Sequence, residues 1–188
     1  MKKTVAYIFD PPIDIKLFES LCDEIFVHHD LTMTSFDSGY LLLDDMQINQ
    51  LKTLQSFLYA NGTALTAVIG YAINPVLQEA LKLATKIARF QISHCADLML
   101  LETMSGNDDL FQRFQREMLK VSNENLNTAK AFIESGCNAH LTSEALYIHR
   151  NTFAYRLNKF IDQTQLDIRD FHFARMFQIW MILNSMKR

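Results

Sequence analysis

Residues 141–160 read Leu141-Thr142-Ser143-Glu144-Ala145-Leu146-Tyr147-Ile148-His149-Arg150-Asn151-Thr152-Phe153-Ala154-Tyr155-Arg156-Leu157-Asn158-Lys159-Phe160, and this stretch decides how the whole chain is read. It predicts two short helices meeting at a tight corner. Thr142 is expected to cap the first helix, with Ser143 and Ala145 small enough to let the second helix approach closely. Leu146 and Ile148 are expected to plug the corner. Phe153, Leu157 and Phe160 recur at i, i+4 and i+7, so one stripe of the second helix is buried. Arg150, Asn151, Ala154, Tyr155 and Asn158 then turn outward.

That outward face has a chemistry of its own. Arg and Asn carry planar hydrogen-bonding ends that match guanine and adenine edges, and the N-terminal part of a helix laid in the major groove is the part that reaches them. Arg156 and Lys159 flank the face and point to phosphate contacts, which position a helix without reading sequence. Thr152 adds a hydroxyl. His149 adds a charge at such a surface when protonated, or else caps the helix or packs the corner. The expected DNA-contacting set is Thr142, His149, Arg150, Asn151, Thr152, Ala154, Tyr155, Arg156, Asn158 and Lys159. Periodicity alone fits equally well an amphipathic pair whose Arg and Lys residues only keep a surface solvated. The order of residues separates the two.

In that order the segment resembles the C-terminal helix-turn-helix of the PucR family of bacterial transcriptional regulators, similar in pattern to the Fis-like helix-turn-helix. The resemblance is carried by Thr142, Ser143, Leu146 to Thr152 and Tyr155 to Leu157. Upstream, Leu126-Asn127-Thr128-Ala129, Phe132-Ile133 and Asn138 resemble the helix before the motif. Downstream, Lys159-Phe160-Ile161 and Leu166-Asp167-Ile168 resemble its exit and the start of a last helix. It extends from Asp108 to about Leu183, departing at Ser143, where alanine is usual, and at Gln165, where glycine is common. The resemblance implies a regulator of transcription that binds double-stranded DNA and is not an enzyme. The competing function is a protein-interaction or scaffold protein that keeps the fold without binding DNA.

Charge is distributed to match. The whole chain carries a net charge of -3, but residues 139–188 hold seven Lys or Arg against four Asp or Glu, and the remainder eleven against seventeen. Positive charge gathered at one end is what a phosphate surface attracts. With 49% apolar residues, five glycines and three prolines, the 188 residues are expected to pack into one domain or two small ones. Cys22, Cys95 and Cys137 are an odd, widely spaced set, expected to be reduced, mostly buried thiols. The apolar run Val5 to Phe9 is too short for a signal segment and no stretch is long enough to span a membrane, so the expected location is the cytoplasm.

The first ninety or so residues mix the two periodicities. Strands are predicted at Thr4 to Phe9, Ile25 to His29, Tyr40 to Leu43 and Ala64 to Tyr71, with Asp37-Ser38-Gly39 as turn chemistry before the third run. Helices are predicted at Ile15 to Glu24, Met46 to Tyr59, and from Asn74-Pro75 to about Gln91 or Ile92. Beyond Ser93 the spacing is helical throughout. The fold class is therefore α+β, with an α/β unit for sensing or assembly over residues 1–104 and a helical DNA-binding unit over 105–188. Family members often carry a GGDEF-like domain ahead of the motif, and the element order here is compatible with a degenerate one. Phe36-Asp37-Ser38-Gly39-Tyr40 lacks the paired carboxylates that hold magnesium, so no cyclase activity is expected. No cofactor or metal is expected either. Adjacent residues such as His28-His29-Asp30 point to opposite faces of a strand, and Asp44-Asp45 suits a helix N-terminus. The last helix, Asp170 to Met186, sets Phe173, Met176, Phe177, Trp180 and Leu183 on one stripe, which serves the core or extends into a two-fold interface. A homodimer would suit two half-sites about one DNA turn apart, and a small-molecule effector of unknown identity is the expected role for the first unit.

Overall fold

The computed structural model describes residues 2–186. Lys187 and Arg188, two of the cations counted in the basic tail, lie outside them. The chain divides into two compact units, Met1–Leu98 and Met99–Arg188. The division falls inside one helix, whereas the sequence suggested a cut between residues 104 and 105, where that helix ends. Helix-ending residues mark the end of an element. They do not mark where side-chain contacts change partners.

The first unit is built on β1 (Lys2–Asp10), α1 (Ile15–Ile25), β2 (His29–Met33), β3 (Ser38–Asp44), α2 (Leu51–Ala60), β4 (Ala64–Gly70), α3 (Pro75–Ile87) and β5 (Ile92–His94). The five strands lie in the order β2-β3-β1-β4-β5, antiparallel except for the β4–β5 pair. The β1 to β4 portion follows a ferredoxin-like β-α-β-β-α-β path. β1 is central, and its alternate residues serve two cores. Val5, Tyr7 and Phe9 meet Phe18 and Cys22 of α1 and Leu51, Leu54 and Leu58 of α2. Opposite them α3, started by Asn74 capping Leu77 N with Pro75 in the first turn, packs on β4 and β1.

Several local expectations change. Residues 25–28 end α1 and form a loop, and the strand begins at His29, because Ile25 completes the α1 apolar face. Met46 to Tyr59 is not one helix: Asp45–Gln50 is a 3₁₀ turn before α2. The helix from Pro75 stops at Ile87, and residues 92–94 pair with β4, an edge strand too short to leave a period-2 signal. Gly39 lies in β3 rather than in the turn. A Cβ there would strike Thr32 O and Tyr7 Oη, so the glycine lets the Tyr7 ring cross its partner strand.

Three of the polar residues weighed as metal ligands have charged neighbours of their own. Asp30 pairs with Lys2 at 3.0 Å, His29 lies 3.6 Å from Asp23, and Asp45 pairs at 2.6 Å with the buried Lys3 ammonium. No group of three or more metal-ligating side chains occurs among the described residues. Burial pushes the Cys22 and Cys95 thiols up to about 12, while Cys137 is exposed.

The second unit continues with α4 (Cys95–Met104), α5 (Asp109–Met118), α6 (Asn123–Glu134), α7 (Ala139–Ala145), α8 (Arg150–Thr164) and α9 (Phe171–Met186). Its core is a chain of rings. Phe160 meets Phe177 at 5.3 Å, Phe177 meets Trp180 at 5.1 Å, and Trp180 meets Phe114 at 6.0 Å. The indole N–H of Trp180 donates to Gln115, which satisfies its one polar atom. The α9 stripe of Phe173, Met176, Phe177, Trp180 and Leu183 is buried inside the unit.

Candidate nucleic-acid interface

Three helices set the geometry. α6 starts from Ser122, whose hydroxyl accepts from Asn125 N. α7 starts from Asn138, whose Oδ1 accepts from His140 N at 3.0 Å and Leu141 N at 3.2 Å. Asn138, not Thr142, is therefore the cap, and α7 begins four residues earlier than the sequence pattern placed it. The Thr142 hydroxyl instead donates to Asn138 O at 2.7 Å inside the helix. Its side chain is 0% exposed and presents nothing to a duplex, which corrects its place among the contact residues.

α8 is capped by His149, whose Nδ1 accepts from Asn151 N at 3.2 Å. An accepting Nδ1 carries no proton, so this ring caps with its hydrogen on Nε2. Capping and a doubly protonated phosphate contact are thus alternatives for His149. Behind the cap, Phe153, Leu157 and Phe160 are buried, and Phe153 meets Phe132 of α6 at 5.5 Å. That stripe fixes the rotation of α8 about its axis. Arg150, Asn151, Thr152, Ala154, Tyr155, Asn158 and Lys159 are consequently all exposed. Neither Arg150 nor the Asn151 side chain makes a hydrogen bond or ion pair with another described residue. The Lys159 ammonium lies 5.8 Å from the Tyr155 ring centre, a loose contact that leaves it accessible.

Arg156 is placed differently from the rest of the face. Its guanidinium pairs with the Glu124 carboxylate on α6, and its side chain is only 23% exposed. One step from the buried Leu157, it sits at the seam between α6 and α8, where the Glu124 carboxylate meets it. Asn125 and Gln163 hydrogen-bond across the same seam at 3.3 Å. The sequence showed Arg156 next to Lys159 but gave no sign that Glu124, thirty-two residues away, would face it.

The corner itself is made by backbone. Tyr147 N donates to Glu144 O and Ile148 N to Ser143 O, both at 3.0 Å, with Tyr147 at φ 53°. Leu146 and Ile148 are half-buried beneath it. Tyr147 is 96% exposed and was quoted in the motif without being assigned a role. Its signal would have been its place in a turn that ordinarily takes glycine.

Residues 126–183 match the PucR C-terminal helix-turn-helix domain. This PucR-type domain covers α6 to α9, the elements that hold and aim the exposed α8 face. The chain is also 36% identical over 74 residues to the uncharacterized protein YxkF of Bacillus subtilis (strain 168), a match that takes in 39% of this chain and a quarter of that protein's length. Among solved structures, a regulator of polyketide synthase expression from Bifidobacterium adolescentis aligns over 99% of this chain and 81% of its own, with a TM-score of 0.50 and 13% identity. At that identity the likeness is one of fold.

Proposed function

We propose that the chain is a sequence-specific DNA-binding regulator of transcription, acting in the cytoplasm as a homodimer, with α8 as its recognition helix. One observation carries this reading: inside a PucR-type domain, a helix anchored by Phe153, Leu157 and Phe160 leaves Arg150, Asn151, Thr152, Tyr155, Asn158 and Lys159 exposed on its opposite side. Arg150 and Asn151 stand at the helix start, where base edges are reached, and Lys159 two turns later is suited to a phosphate. His149 contributes as the cap that orients the first turn. Arg156 is assigned to the α6–α8 seam. No described helix is long and apolar enough to cross a membrane. The sheet unit is the place for an effector or for assembly, altering the spacing of two recognition helices in the dimer.

The test is a titration of the full chain onto genomic fragments at two salt concentrations, with Arg150→Ala and Lys159→Ala alongside. Arg150→Ala is expected to cost about 1–3 kcal/mol of discrimination between preferred and random sequence. Lys159→Ala should weaken all sequences alike and reduce the salt slope by about one. A protein-interaction module that merely keeps the fold would show no salt-dependent binding and no difference between the variants.

A further inference from the structure

Among the described residues, four helices end in the same way. At the ends of α2, α4 and α6 the chain closes a pair of backbone hydrogen bonds around a left-handed residue, and that residue is Gly62, Gly106 or Gly136, with φ of 80°, 82° and 65°. A Cβ at any of these glycines would meet nothing within 4 Å. Backbone conformation alone therefore explains them, since L-residues with a Cβ are strained at positive φ. The end of α7 closes the same pair of bonds, Tyr147 N to Glu144 O and Ile148 N to Ser143 O, around Tyr147.

Folding accounts for none of the tyrosine. It is strained where glycine would not be, it is 96% exposed, and its hydroxyl makes no hydrogen bond to another described residue. A large amphipathic side chain kept at a strained, fully solvated corner is the pattern of a contact residue. Its place in the fold says what it contacts. Tyr147 precedes Arg150 by three residues, a separation of at most about 11 Å along the chain, against a major groove about 12 Å wide. With Arg150 and Asn151 at the floor of the groove, the corner stands at its wall, where phosphate oxygens accept from hydroxyl donors.

We propose that Tyr147 is a positioning contact to the DNA backbone, its phenolic O–H donating to a phosphate oxygen beside the groove that α8 enters. This rests on the DNA-binding reading above. The experiment uses the full chain, Tyr147→Phe and Tyr147→Gly, a duplex recovered with the wild type and a scrambled duplex of equal length, read by anisotropy over a salt series and by thermal melting without DNA. Both variants are expected to bind about ten- to a hundredfold more weakly, the scale of one hydrogen bond to a charged group. The loss should be equal on both duplexes and leave the salt slope unchanged, because a neutral phenol displaces no counterion. The Tyr147→Gly melting temperature should equal or exceed that of the wild type. Wild-type affinity in Tyr147→Phe, or a lower melting temperature in Tyr147→Gly, overturns the assignment while leaving DNA binding intact. Altered self-association with unaltered DNA affinity overturns it in favour of a protein partner. A wild type that binds neither duplex removes the DNA reading and this contact together.

Discussion

α8 and α9 are consecutive helices of nearly equal length, 15 and 16 residues, and each buries one stripe in the same core. Their other faces differ. α8 turns Arg150, Asn151, Asn158 and Lys159 to solvent, whereas α9 turns out Phe171, Ile182 and Met186 and spends Phe173, Phe177 and Trp180 inside. A buried stripe tells where a helix is fastened; the exposed face tells what it is available for. α9 is the pillar of the PucR-type domain, and α8 is the surface that the pillar holds in place.

Removing the pillar should produce the largest effect. Phe177→Ala empties the space between the Phe160 and Trp180 rings and is expected to cost about 3–5 kcal/mol in urea unfolding, enough to make the two helices lose order together. If α8 kept its helicity and the domain its cooperative transition, α9 would not be the anchor described here. The cap of α8 ranks next. His149→Ala should lower the unfolding free energy by about 1 kcal/mol, while His149→Asn, which keeps an acceptor for Asn151 N, should recover most of it. The joint between the two helices gives the smallest change, of opposite sign. Gln165 ends α8 at φ 61°, so Gln165→Gly should stabilise the domain by up to about 1 kcal/mol, and a loss would show that the Gln165 amide bond to Asp162 O outweighs the strain.

Much of this was legible because it is local. The Phe153, Leu157, Phe160 spacing named the buried face of α8, and with it the exposed one. Asn74-Pro75 marked the start of α3, and the Phe173 to Leu183 stripe marked the core side of α9. Gln165, noted only as a departure from glycine, falls where the backbone turns left-handed. What misled were residues whose chemistry suits two places. Thr142 has a capping hydroxyl, but Asn138 reaches the free N–H groups first. Gly39 resembles a turn residue, yet the close passage of Tyr7 is what demands it. Ile25 belongs equally to a strand pattern and to the last turn of a helix, and the helix took it. The strand at residues 92–94 is three residues long, below any periodic signal, and exists only through pairing with β4.

From its own residues, then, the chain determined which helices form, which side of each is apolar, and that Arg and Asn lead an outward helical face, since these follow from spacings of three and four along a helix. Tertiary structure alone decided that Arg156 would be tied to Glu124, that Thr142 would be sealed in the interior, and that Tyr147 would stand almost wholly in solvent on a left-handed backbone. The ion pair and the sealing of Thr142 depend on which distant groups arrive close by, and the exposure of Tyr147 on none covering a corner that its own backbone closes; one-dimensional order carries no measure of those distances.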